Sequence, residues 1–122
     1  MLRPDEDETD RRPVWNSLQE FWLDTDANLF LQRVAEVCAR SKYSIAELEQ
    51  IFWNEVQPAL QFNLRSIAGE WAGFDPAWLA EQILTKHRFG RPLPMRSLHP
   101  HENFWWKKLR AEVERLRAQA NE

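Results

Sequence analysis

Apolar residues recur at helical spacing along most of the chain. Val14, Leu18, Phe21 and Trp22 fall at i, i+4, i+7 and i+8 with Trp15 beside them. This predicts a first amphipathic helix from about Pro13, a residue suited to a first helical position. Asp24-Thr25-Asp26 predicts a turn and a cap for a second helix. Its inner face is Phe30, Leu31, Val34, Val37 and Cys38; Arg33, Glu36 and Arg40 lie outward, the last two at supporting i,i+4 spacing. Ser44 to Glu47 is a capping box, with Tyr43 and Leu48 placed as the hydrophobic staple of a third helix. Ile45, Leu48, Ile51, Phe52 and Val56 form its stripe, and Pro58 is expected to break or kink it. A fourth helix from about Ala59 carries Leu60, Leu64, Ile67 and Trp71 inward and stops at Gly73. Asp75-Pro76 restarts the chain as cap and first position of a fifth, with Leu79, Ala80, Ile83, Leu84 and His87 inward and Trp78 outward. Residues 88–100 hold three prolines and no period, which predicts a long basic loop. The last helix, 101–120, turns Trp105, Trp106, Leu109, Val113 and Leu116 inward.

Composition agrees with the pattern. The 122 residues suffice for one core, seven tryptophans and seven phenylalanines supply large buried surfaces, and three glycines with few β-branched runs make strands a poor choice. The expectation is an all-α, single compact domain of five to six short helices spanning 13–122. Residues 1–12, dense in Asp and Glu, are expected to be a disordered acidic tail. Lone Cys38 excludes an internal disulfide and suits a buried thiol in a reducing compartment. With no leader pattern and no apolar run near about 18 residues, a soluble, cytoplasmic protein is expected.

Charge complicates the picture. Residues 1–85 hold seven Lys/Arg against fifteen Asp/Glu, a balance of −8, whereas residues 86–122 hold nine against four, a balance of +5. Such asymmetry suits either partner recognition or two halves of one fold attracting each other. Within 86–110, Lys86, Arg88, Arg91, Arg96, Lys107, Lys108 and Arg110 interleave with Phe89, Phe104, Trp105 and Trp106. Basic residues among aromatics are what single-stranded nucleic-acid binding uses. The overall pI of about 5.7 argues against it, as does the inward phase of both tryptophans.

Two carboxylates sit in apolar context. Glu55 lies between Ile51 and Phe52 on the apolar face, where an unpaired charge would be costly. Glu70 stands among Gly69, Trp71 and Gly73. Converging, they would form an acid/base pair; a buried ion pair is the ordinary solution for a helical core, with Arg65 and Asn63 the nearest partners in sequence. His87, His99 and His101 lack the spacing and companions of a metal site, and no phosphate loop or nucleophile elbow is present. No cofactor is expected.

One set of motifs goes further. Val14-Trp15, Leu23-Asp24-Thr25, Tyr43-Ser44 with Glu47-Leu48, Glu55-Val56 with Pro58, Asn63-Leu64, and Ala68-Gly69-Glu70-Trp71-Ala72-Gly73-Phe74 together resemble a family of small bacterial proteins catalogued as a domain of unknown function. The resemblance spans roughly residues 13 to 85 and implies no activity, cofactor or catalytic residue. What remains is a small non-enzymatic protein-binding module, most concretely an immunity-type protein that neutralises a bacterial toxin or effector. Its expected partner-binding residues are Asn63, Ser66, Glu70, Trp78, Arg88, Arg91 and Arg96. The alternatives are nucleic-acid binding through 86–110 and an enzyme built on Glu55 and Glu70.

Overall fold

The segment from Ile45 to Leu60 is the one the other helices surround. The computed structural model describes residues 3–22, 28–60, 76–88 and 100–120. Ser44 opens the segment through the expected capping box: its hydroxyl accepts from the Glu47 N–H at 3.1 Å, and the Glu47 carboxylate accepts from the Ser44 N–H at 2.9 Å. Helix α3 (Ile45–Ile51) runs into a π-helical turn (Phe52–Val56) and then α4 (Gln57–Leu60). From Ile51 onward every residue except Asn54 is buried. The amphipathic stripe of α3 thus gives way to a stretch enclosed on all sides, as expected of a central helix.

Of the break or kink expected at Pro58, the break does not occur. Proline lacks the N–H for the carbonyl four residues back and its ring crowds that carbonyl. The π turn widens the spacing just before it, with the Gln57 N–H donating to the Phe52 carbonyl, an i→i−5 bond. The chain stays helical through Pro58, from the π turn into α4. A fourth helix reaching Gly73 lies outside the described residues beyond Leu60.

Residues 3–12 are likewise not the tail that their charges suggested. Pro4–Glu6 form a 3-10 turn, and helix α1 (Glu8–Leu18) starts five residues before Pro13, which sits inside it. Two physical reasons carry this. Glu8 and Asp10 lie in the first turn, where carboxylates oppose the helix dipole favourably. Asp7, Arg11, Trp15 and Leu18 fall at i, i+4, i+8 and i+11, so the buried stripe of α1 extends back into the charged run. Arg12 and Glu8 pair on the exposed side, 2.7 Å apart. A second 3-10 turn (Gln19–Trp22) then presents Phe21 and Trp22 to the core.

Helix α2 (Asn28–Arg40) buries Val34, Ala35 and Cys38 and half-buries Phe30 and Leu31. Helix α5 (Pro76–Arg88) buries Leu79, Ala80 and Ile83, and α6 (Pro100–Ala120) buries Trp105, Trp106, Leu109 and Val113. Counting α3 to α4 as one, the described residues form five helical bodies and no strand. The protein is all-α, a single compact domain.

The most extensive pairing is α2 along α6, while α1 packs on α2 and α5 and the π turn on α5. Aromatic rings fill the centre. Phe52 meets Trp22 and Trp53 at centroid distances of 5.1 Å, Trp106 at 5.5 Å and Phe21 at 6.5 Å. Trp105 stacks on Phe21 at 5.7 Å. Such pairs add about 0.5–1.5 kcal/mol each beyond the area they bury. Among the described residues, no helix is long and apolar enough to cross a membrane.

Candidate functional site

Glu55 faces the core from the π turn, so its charge must be met inside the protein. Both of its oxygens are engaged: Oε2 forms a close ion pair with Arg11 Nη1, and Oε1 accepts from Trp15 Nε1 at 2.9 Å. The partner comes from α1, not from the nearby Arg65 or Asn63, both outside the described residues. Arg11 is itself fully buried, and its Nε lies 3.4 Å from Asp7 Oδ2.

Asp7 is the junction of the network. Its Oδ2 accepts from the Tyr43 hydroxyl at 2.5 Å, and its Oδ1 from Lys42 Nζ at 2.7 Å. Lys42 also reaches Asp10 at 2.9 Å. Burial by itself would raise the Asp7 carboxyl, but hydrogen bonds from Lys42 and Tyr43, the Lys42 charge and the Arg11 contact together hold it below its ordinary value. Burial, then the bond to Asp7, push the Tyr43 phenol upward. Two buried carboxylates, one buried guanidinium and a covering ammonium thus join α1, the π turn and the α2–α3 connection. Buried and bonded at both oxygens, Glu55 has the arrangement of a structural ion pair.

The sequence reading missed Asp7, Arg11, Lys42 and Tyr43 as a set. The signal was present in the i,i+4 spacing of Asp7 and Arg11 ahead of Trp15. It was obscured by taking Pro13 as the helix start.

A second arrangement lies on the surface. An open cleft of about 540 Å³ runs between α1 and α2. Pro13, Val14 and Val37 give it an apolar lining, and Asp10, Arg33, Glu36, Arg40 and Lys42 surround them. Most of these charges are already answered within the protein. Arg33 Nη2 bridges both Glu20 oxygens at 3.0 Å, Glu36 accepts from Gln32 at 3.3 Å, and Lys42 holds Asp10. Glu36 and Arg40 do not form the i,i+4 pair that their spacing suggested, and exposed Arg40 has no polar partner among the described residues.

Of the residues expected to bind a partner, Asn63, Ser66, Glu70, Arg91 and Arg96 lie outside the described residues, as does the side chain of Arg88 at the end of α5. Whether Glu70 approaches Glu55 falls outside them too. Trp78 differs from expectation: it is half-buried against the core, not outward. The cause is that α5 packs on α1, the first 3-10 turn, the π turn and α4, so more than one of its faces is covered.

In the basic aromatic segment, Trp105 and Trp106 are buried, and Trp105 Nε1 donates to His101 Nε2 at 3.2 Å. Phe104 is 51% exposed, with Lys108 Nζ 5.0 Å from its ring centre. Arg110 pairs with Glu114 and Arg115 with Glu112, within α6 itself. Among the described residues, no three of His, Cys, Asp or Glu converge as metal ligands.

A family model described as a domain of unknown function, DUF7079, matches residues 9–121, nearly the whole chain, and the chain belongs to that family. Membership therefore extends beyond the 13–85 motifs to include the basic segment and α6. No curated protein and no solved structure matches the chain.

Proposed function

We propose that this member of the DUF7079 family is a non-enzymatic protein-binding module of the cytoplasm, in its most concrete form an immunity-type protein that neutralises a toxin by binding it. The observation that carries the reading is the α1–α2 cleft, which has an apolar lining within charged surroundings, the anatomy of a protein-recognition patch. Glu55 adds support from the other side, because the acid on which an enzymatic reading leaned is bound on both oxygens. Asn63, Ser66, Glu70, Trp78, Arg88, Arg91 and Arg96 are proposed as further partner contacts.

The test is affinity capture from the native host with the full chain, followed by co-expression of whatever is captured. One stoichiometric protein partner, toxic alone and harmless when co-expressed, is the expected result. Absence of any stoichiometric protein partner overturns the reading. The runner-up, single-strand binding, retains exposed Phe104 beside Lys107 and Lys108 but loses both tryptophans to the core. A salt-dependent gel shift with single-stranded DNA or RNA would revive it.

A further inference from the structure

Tyr43 stands where two separate sets of hydrogen bonds end. Its hydroxyl donates to Asp7 Oδ2 at 2.5 Å, and its carbonyl accepts from Arg117 Nη2 at 2.5 Å. The residues before it repeat the arrangement. Lys42 Nζ holds Asp7 and Asp10, and the Ser41 carbonyl accepts from the same Arg117 nitrogen at 3.4 Å. The connection between α2 and α3, residues 41–44, thus grips the N-terminal run by its side chains and the end of α6 by its carbonyls. We infer that this connection is a latch closed on both ends of the chain together, so that releasing α1 loosens the end of α6 and releasing α6 loosens α1.

The two grips meet on one residue, which is what ties them. Tyr43 is buried, and the Lys42 ammonium and Arg11 guanidinium lie 5.6 and 6.0 Å from its ring centre. With the ring packed in place, a backbone movement that withdraws the Tyr43 carbonyl from Arg117 draws the hydroxyl away from Asp7 as well. Such an opening leaves the buried Asp7 carboxylate without the phenol and Arg117 without two of its four carbonyls. These losses fall together, so the connection opens as a unit. Coupling between separated sites needs an element with two arrangements that both sites bias, and residues 41–44 supply it. Helix α2 packs on both α1 and α6 and offers a rival route between the ends. The Tyr43 hydroxyl separates the two routes, because it belongs to the latch and not to the packing along α2.

Two side-chain protons report on the two ends: Arg11 Nε–H, 3.4 Å from Asp7, and Arg117 Nε–H, which donates to the Ala39 carbonyl at 3.3 Å. Their hydrogen exchange, with that of the Ser41, Tyr43 and Ser44 amides, is measured by NMR on the full ¹⁵N-labelled chain under native conditions. Asp7→Asn and Tyr43→Phe are each expected to speed exchange at Arg117 Nε by about fivefold or more, and Arg117→Ala to do the same at Arg11 Nε. Tyr43→Phe removes one hydroxyl and keeps the ring, so it carries the test should Asp7→Asn fail to fold by circular dichroism. The core change Ile83→Val, on α5, is expected to leave both reporters unchanged. Three results overturn the inference. The first is a variant at one end that leaves the reporter at the other unmoved. The second is a response to Arg117→Ala but none to Tyr43→Phe, which assigns the coupling to packing along α2. The third is an equal response to Ile83→Val, which means that exchange proceeds by unfolding of the whole protein.

Discussion

Arg11 is a guanidinium with almost no contact with water, paired with the carboxylates of Asp7 and Glu55. Removing one member of a buried ion pair leaves the other uncompensated, which typically costs about 3–5 kcal/mol. Arg11→Ala is therefore expected to lower the stability measured by urea unfolding by that amount. The double variant Arg11→Met/Glu55→Leu is expected to lose far less than the two single changes combined, because no stranded charge remains. A double variant as damaged as the sum would show that the pair contributes little coupling.

Asp7 makes a second residue-level prediction, one of pH. Its folded carboxyl sits below the ordinary value, so the unfolded chain takes up a proton first as pH falls. The resulting stability is present above the unfolded value of about 4 and is lost as pH drops through the folded one. Urea midpoints measured from pH 6 down to pH 2 should decline, and the Asp7→Asn variant should show a flatter decline from a lower plateau. Parallel profiles would assign the acid sensitivity to other carboxylates. Glu55 was recognisable in the sequence as a buried acid needing a partner, because its helical phase alone put it among Ile51 and Phe52. Which cation answered it was not recognisable, since Arg11 lies 44 positions away.

Among the elements, α2 and α6 are joined by an unusual cap. Arg117, half-buried on α6, donates to the carbonyls of Cys38 at 3.1 Å, Ala39 at 3.3 Å, Ser41 at 3.4 Å and Tyr43 at 2.5 Å. The first two belong to the last turn of α2, at the negative end of its dipole, and the other two to the connection that follows it. Hydrogen bonds to a charged group contribute about 1.5–3 kcal/mol, with partial exposure favouring the lower end. Arg117→Ala is expected to lose about 1–2 kcal/mol and to speed hydrogen exchange at the last turn of α2 and at residues 41–44. Exchange unchanged there would mean that solvent caps the helix equally well. Arg117 falls outside the inward set of Trp105, Trp106, Leu109, Val113 and Leu116 that the periodicity of α6 predicts. Its role depends on the crossing of two helices, which no local pattern encodes. The Ser44–Glu47 box, by contrast, lies within four residues and was legible in full.

At the scale of the whole molecule, the charged N-terminal run is part of the fold. It contributes Asp7 and Arg11 to the interior and Asp10 to the cleft. Deleting residues 1–12 is expected to lower the thermal midpoint by more than Arg11→Ala does, and to expose Glu55 and Tyr43 to water. A tail would be removable at no cost, so an unchanged melting curve by circular dichroism would restore that reading. The cleft also depends on this run, so the truncated chain is expected to lose partner binding along with stability.

The sequence by itself determined the core-facing apolar residues of α2, α3 and α6, the cap of α3, the burial of Cys38 and the all-α class. Each of these follows from a period of 3.6 residues or from contacts within one turn, and a linear chain displays both. Its motifs also pointed to a family of unknown function, and the match over residues 9–121 places the chain there. Only the tertiary structure decided that the helix passes through Pro58, that Trp78 is half-covered, and that Glu55 is answered by Arg11. It also decided that Arg40, exposed at the end of α2, has no polar partner among the described residues. These outcomes depend on which faces meet across tens of residues, where packing and desolvation choose among partners that local chemistry leaves equal.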